Sequence, residues 1–191
     1  MKQIDSTSRA GRAVIVALGV LVLPACYDFP VPLDPEPKLK LDSRLLGAWL
    51  CVPPDPTLPP DLRVKPETDH RLVALDFEGA NLKYRIRMVG LDKADDEGFL
   101  EGYASELGER TVLNLWGIAE KSEEDQEKVI LVNYNLLSKD VVQFDLIDDK
   151  PIKDKPLSPS AELRKTLLNH RPQSELFSPF MVCVRAKIAR E

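Results

Sequence analysis

Leu82, Tyr84, Ile86 and Met88 are apolar, and the residues between them, Lys83, Arg85 and Arg87, are cationic. A helix would scatter that pattern around its circumference. An extended strand, with successive side chains on opposite faces, turns it into one dry face and one wet face. The period recurs along the chain. Residues 71–79 put Val73, Leu75 and Phe77 on one face, residues 129–137 do so with Ile130, Val132, Tyr134 and Leu136, and residues 141–147 with Val142, Phe144 and Leu146. With further β-branched and aromatic runs at 45–52, 99–107, 111–118 and 180–188, the chain is predicted to hold eight strands.

The connections alternate in length. Gly79-Ala80-Asn81, Gly108-Glu109-Arg110 and Ser138-Lys139-Asp140 are hairpin turns, whereas 53–70, 90–98, 119–128 and 148–179 are long. In an up-and-down meander alternate turns fall at the same end, so the short turns share one end and the long loops the other. Eight such strands can close and remove both sheet edges. The expected fold is therefore all-β, an eight-stranded antiparallel up-and-down barrel with a closed base and an elaborated mouth. Trp49, Phe77, Tyr84, Ile86, Tyr134 and Phe144 are its candidate interior residues. One helix is expected between the seventh and eighth strands. Ser158 would cap it with Pro159 at its first position, Leu163, Leu167 and Leu168 would form its apolar stripe, and Pro172 would stop it.

The amino-terminal region has a different character. Lys2, Arg9 and Arg12 precede an apolar stretch from Ala13 to Leu23, then Pro24, Ala25 and Cys26. A cationic start, a short apolar run and a small residue before a cut is the layout of a secretory signal. The run is well short of the roughly 20 residues that span a bilayer. Leu23-Pro24-Ala25-Cys26 resembles the lipobox of bacterial lipoproteins. That resemblance implies cleavage between Ala25 and Cys26 and a diacylglycerol thioether on Cys26, so that the partner of the mature chain is a membrane, reached through its lipid. Tyr27 stands where an Asp signals retention at the inner membrane in some bacteria, which favours the outer membrane. The division expected is 1–25 signal peptide, 26–44 lipidated cysteine and Pro-rich tether, and 45–191 barrel domain. Pro30, Pro32, Pro35 and Pro37 make the tether either a stiff stalk or a segment laid along the barrel through Leu39 and Leu41.

The first strand opens Leu45-Leu46-Gly47-Ala48-Trp49, which resembles the Gly-x-Trp start of lipocalins and other calycins. The resemblance implies that Trp49 plugs the barrel base and that a late basic residue packs across it; Arg185 is the candidate. Antiparallel partners keep a constant index sum, and the register that opposes Trp49 to Arg185 also opposes Cys51 to Cys183. After export to an oxidising compartment those two can form a disulfide; the alternative is two unrelated buried thiols. This register turns Val182, Val184 and Ala186 outward, where the helix or the tether must cover them.

Little else carries chemistry. The formal charge of −5 becomes −7 once residues 1–25 are removed, which argues against nucleic-acid binding. His70 and His170 are isolated, no nucleophile sits near a base at a readable spacing, and no catalytic residue, cofactor or metal ligand is assigned. Asp92, Asp95, Asp96 and Glu97 in one mouth loop, and Glu120, Glu123, Glu124, Asp125 and Glu127 in another, read as solvated charge. The expectation is a non-enzymatic envelope protein. It either binds a small hydrophobic ligand in the barrel or serves as a structural or protein-interaction module with a filled core, the partner then being an envelope protein.

Overall fold

In the computed structural model, alternation along the chain becomes strand pairing around a closed ring. The structure describes residues 28–54, 73–90, 97–117 and 128–186. Residues 1–25, Cys26, His70, residues 55–72 of the loop after the first barrel strand, and the acidic loop residues other than Glu97 lie outside them. The strands are β1 (Asp28–Phe29), β2 (Gly47–Val52), β3 (Val73–Ala80), β4 (Lys83–Gly90), β5 (Glu97–Leu107), β6 (Arg110–Gly117), β7 (Val129–Ser138), β8 (Val141–Ile147) and β9 (Phe177–Arg185). Each of β2 to β9 pairs antiparallel with the next, and β9 pairs with β2, so these eight strands form a closed barrel. The turns Asn81–Leu82, Gly108–Glu109 and Lys139–Asp140 lie at the end where β2 begins and β9 finishes. Asn81 and Leu82 have φ of 51° and 67°, and Gly108 has φ of 63°. Such left-handed positions match the twist of a two-residue hairpin.

Several boundaries differ from the sequence reading, for physical reasons. The first barrel strand begins at Gly47, because Leu45 and Leu46 close a turn onto Asp42 and Ser43. Glu97 is not a loop residue; it opens β5 opposite Val89, and its carboxylate pairs with Arg87. The last strand starts at Phe177 rather than 180. Pro179 is tolerated there because the register with β8 shifts between Phe144 and Asp145. The helix α1 spans Ser160–Asn169, with Pro159, not Ser158, as the half-turned residue at its start. Pro159 carbonyl accepts from the N–H groups of Glu162 and Leu163. Leu163 and Leu167 are buried one turn apart, while Leu168, one position further around, is 38% exposed. His170 does not lie open at the helix end. It is buried, with Nε2 3.2 Å from Glu175 Oε2 and Nδ1 3.4 Å from Lys155 Nζ.

Two apolar clusters result. The inner one fills the barrel with Trp49, Leu75, Phe77, Tyr84, Ile86, Leu113, Val132, Phe144 and their neighbours. The outer one sits between the barrel wall and α1, where Leu107, Val112, Val129, Leu131 and Ile147 meet Leu163, Leu167 and Leu176. The Pro-rich segment contributes to both. Phe29 and Leu33 are buried in the outer cluster, and Leu39, Leu41 and Leu45 pack into the inner one. Val182 is fully buried, Val184 and Ala186 half-buried, and none of them belongs to the cluster beneath α1.

Gly102 shows how tightly the wall is built. A Cβ there would lie 2.0 Å from the carbonyl oxygen of Asn114 and 2.7 Å from Leu115 Cδ2. No side chain fits between these strands, so this position accepts only glycine.

Candidate functional site

The closed end of the barrel is built around Trp49. Its ring is fully buried and its Nε1 donates to the Leu45 carbonyl at 2.8 Å. Trp49 pairs with Arg185 across β2 and β9, and the guanidinium lies 4.2 Å from the ring centroid. That is cation–π distance. Arg185 Nη1 donates to the Leu46 carbonyl at 2.9 Å and Nη2 to that of Arg44. Gly47 beside it has φ of 101°, a left-handed backbone that other residues rarely adopt, while a Cβ there would make only ordinary contact with Arg185 Nη1 at 3.5 Å. In the same register Cys51 is bonded to Cys183.

Asp42 locks the segment before β2 to the barrel. Its N–H donates to Tyr84 Oη at 2.6 Å, and its carboxylate accepts from Tyr134 Oη at 3.2 Å and from Arg44. The Arg44 hydrogen bond is the largest influence holding the Asp42 carboxyl below the usual carboxylate range. Burial pushes the phenols of Tyr84 and Tyr134 up, and the charge of Asp42 raises both further.

Aromatic rings pack on one another within the inner cluster. Phe77 on β3 stacks on Phe144 on β8, with centroids 5.9 Å apart and planes within 5°. Tyr84 meets Phe77 edge-on at 6.2 Å. Ile86 is buried beside them, and Tyr134 is half-buried. All six candidate interior residues therefore belong to or pack against one cluster. Among the described residues, no group of three or more His, Cys, Asp or Glu could hold a metal ion.

The outer wall carries a polar clamp that alternation conceals. Asn114 and Ser105 point outward from the barrel yet are fully buried. Asn114 Oδ1 accepts from the Leu33 N–H at 2.7 Å, and its Nδ2 donates to the Tyr103 carbonyl at 3.1 Å and to Ser105 Oγ at 2.9 Å. Tyr103 Oη donates to the Asp34 carbonyl, and Arg164 on α1 reaches Asp34 Oδ2 at 2.8 Å and the Leu33 carbonyl at 3.2 Å. Burial alone would raise the Asp34 carboxyl, but hydrogen bonds from Ser105 and Lys38 and the charge of Arg164 outweigh it, and it stays low. The hint in the sequence is that the outward face of β6, after Arg110 at its start, carries Val112, Asn114 and Trp116 without a charge.

Burial is also the main reason that the Tyr103 phenol rises to about 12. Tyr84, Tyr103 and Tyr134 thus hold their protons more tightly folded than unfolded, where a phenol titrates near 10. Their contribution is complete below pH 10 and is lost as the pH rises from there through the folded values. We expect absorbance at 295 nm to show these tyrosines ionising only together with a cooperative loss of structure above pH 10. Smooth ionisation at pH 10 with unchanged circular dichroism would contradict this burial.

Compared with protein-family models, with curated proteins and with solved structures, the chain matches none of them.

Proposed function

We propose that this chain is a lipid-anchored lipoprotein of the bacterial cell envelope, non-enzymatic, with a calycin-like barrel whose filled core leaves the work to its surface as a structural or protein-interaction module. The observation that carries the filled-core reading is the Phe77–Phe144 stack, two parallel rings 5.9 Å apart within the inner cluster. Support for the envelope comes from the apolar run and lipobox-like Leu23-Pro24-Ala25-Cys26, and from a disulfide between Cys51 and Cys183, which persists in oxidising compartments. The outer membrane fits Tyr27 after Cys26. Several acyl chains on one residue hold a protein firmly where a single chain does not.

A second reading has its own observation. On the mouth side of the phenylalanine pair, Val73, Met88 and Ile130 face the lumen half-buried, an apolar rim able to take a small hydrophobic ligand. Native mass spectrometry of the protein exposed to a lipid extract separates the two: a bound species of defined mass supports the ligand, and its persistent absence supports the filled module. The anchor is tested by expressing the full chain in a bacterial host. The wild type should partition into membranes with a mass that lacks residues 1–25 and includes the lipid, and Cys26→Ser should appear in the soluble fraction. A Cys26→Ser protein that stays wholly in the membrane would sink the anchor.

A further inference from the structure

We infer that the cleft between residues 155–156 and the side of α1 turned away from the barrel is a binding site for a phosphate ester that carries hydroxyls. The inference goes beyond the module reading and stands apart from the lipid on Cys26. The open cleft holds about 270 Å³ between Lys155 and Pro156 on one wall and Glu162, Lys165, Thr166 and Asn169 on the other. Those four residues recur at three- and four-residue spacing, so they share one side of the helix, while Leu163 and Leu167 are buried on the other. Thr166 Oγ1 donates to the Pro156 carbonyl at 2.9 Å, which staples the two walls together.

The cleft is cationic. Lys155 has no carboxylate partner among the described residues; its Nζ lies 3.4 Å from Nδ1 of the buried His170. On the far side of that ring, Nε2 is 3.2 Å from Glu175 Oε2. A neutral imidazole that donates from Nε2 to the carboxylate presents its Nδ1 lone pair to the ammonium, so it holds Lys155 in place and leaves its charge intact. Lys165 pairs with Glu162 at 3.5 Å, but both side chains are exposed, and such a pair is worth little in water. An anion can therefore draw the Lys165 ammonium away. The carbonyls at the end of α1 do not oppose it. Arg171 Nη1 donates to those of Leu168 and His170, and Gln173 Nε2 to that of Leu167. With two ammonium groups against one carboxylate, the lining is net positive on a chain of net charge −5.

The donors and acceptors set the ligand class. Ammonium groups bind phosphoryl oxygens as point charges. The Asn169 carboxamide has no hydrogen bond among the described residues and adds two N–H donors. The remaining groups accept. The Thr166 hydroxyl has committed its proton to Pro156, and the Glu162 carboxylate has none to give, so both take hydrogen bonds from hydroxyls. A bare phosphate ion uses only the first half of this set. A phosphate ester of glycerol or of a sugar uses both halves, whether it is a free solute or a phospholipid headgroup.

The test titrates the full chain, in a non-ionic detergent at low ionic strength, by isothermal titration calorimetry. The probes are glycerol 3-phosphate, glycerophosphoglycerol (a headgroup without its acyl chains) and glycerol. We expect saturable binding of at least one ester and none of glycerol. Lys155→Met should weaken the Kd roughly tenfold, as the loss of one charge-assisted hydrogen bond implies, and Lys165→Met several-fold. Lys139→Met removes the same charge from an exposed turn at the closed end and should leave the Kd unchanged. Circular dichroism checks that each variant is folded. Binding of the monoester alone identifies a free solute and binding of the diester a headgroup; either supports the site. No saturable binding of either ester, a Kd unmoved by both Lys155→Met and Lys165→Met, or an equal loss in Lys139→Met overturns it.

Discussion

Replacing Cys51 and Cys183 together by alanine should lower the thermal midpoint by roughly 10–20 °C, with the barrel still formed at 25 °C. The bridge spans a sequence separation of 132 residues. Closing a loop of that length removes about 5 kcal/mol of entropy from the unfolded chain, an upper value that real bridges often miss. The effect lies in the unfolded state, because β2 and β9 are already paired by backbone hydrogen bonds from Trp49–Arg185 to Val52–Val182. Alanine suits the test better than serine, since both sulfurs lie in an apolar core where a hydroxyl would lack partners. Reductant at neutral pH should bring the wild type to the midpoint of the double variant and leave the variant unmoved. A shift of only a few degrees, or a variant that responds to reductant, would show that the bridge does not restrain the unfolded chain.

Most of the barrel was legible because its signals are local and repeated. Period-two alternation at Leu82–Met88 needs no knowledge of the rest of the chain, and the alternating loop lengths order the strands. The pairing of the first strand with the last is a long-range fact. It became readable because two residue pairs, Trp49–Arg185 and Cys51–Cys183, satisfy one register. What stayed hidden was whatever depends on a second layer. Asn114 and Ser105 face outward, so alternation assigns them to water, and only the strap and α1 lying over them make them core. Phe29 and Leu33 stand among prolines that read as spacer, because nothing local indicates the groove that receives them. The two residues of β1 carry no periodicity at all. Pro179 broke the pattern of the last strand, since the register shift that admits it is a property of the pair, not of the strand.

Trp49→Ala should cost about 3–5 kcal/mol in urea denaturation, the range for deleting a large buried aromatic side chain. Trp49 is among the largest fully buried side chains, and it seals the closed end of the inner cluster. The cavity could not collapse easily, because Leu45 and Leu46 are tied to the turn at Asp42 and Ser43 and the disulfide ties β2 to β9 two residues away. The role of the ring against the cation is separable from its volume. Trp49→Leu keeps part of the apolar bulk and loses both the aromatic face and the bond to Leu45. Arg185→Met keeps the stem and removes the donors to the Leu46 and Arg44 carbonyls. If the guanidinium stabilises the base through the indole face, the double variant should be less destabilised than the sum of the singles by about 1 kcal/mol. Additive losses would mean that Trp49 and Arg185 fill the same end of the barrel without acting on each other. In that case Arg185 closes the base through the Leu46, Arg44 and Lys139 carbonyls and its pairing with Asp140, and a lysine, with one nitrogen in place of the fork, would not reach them all.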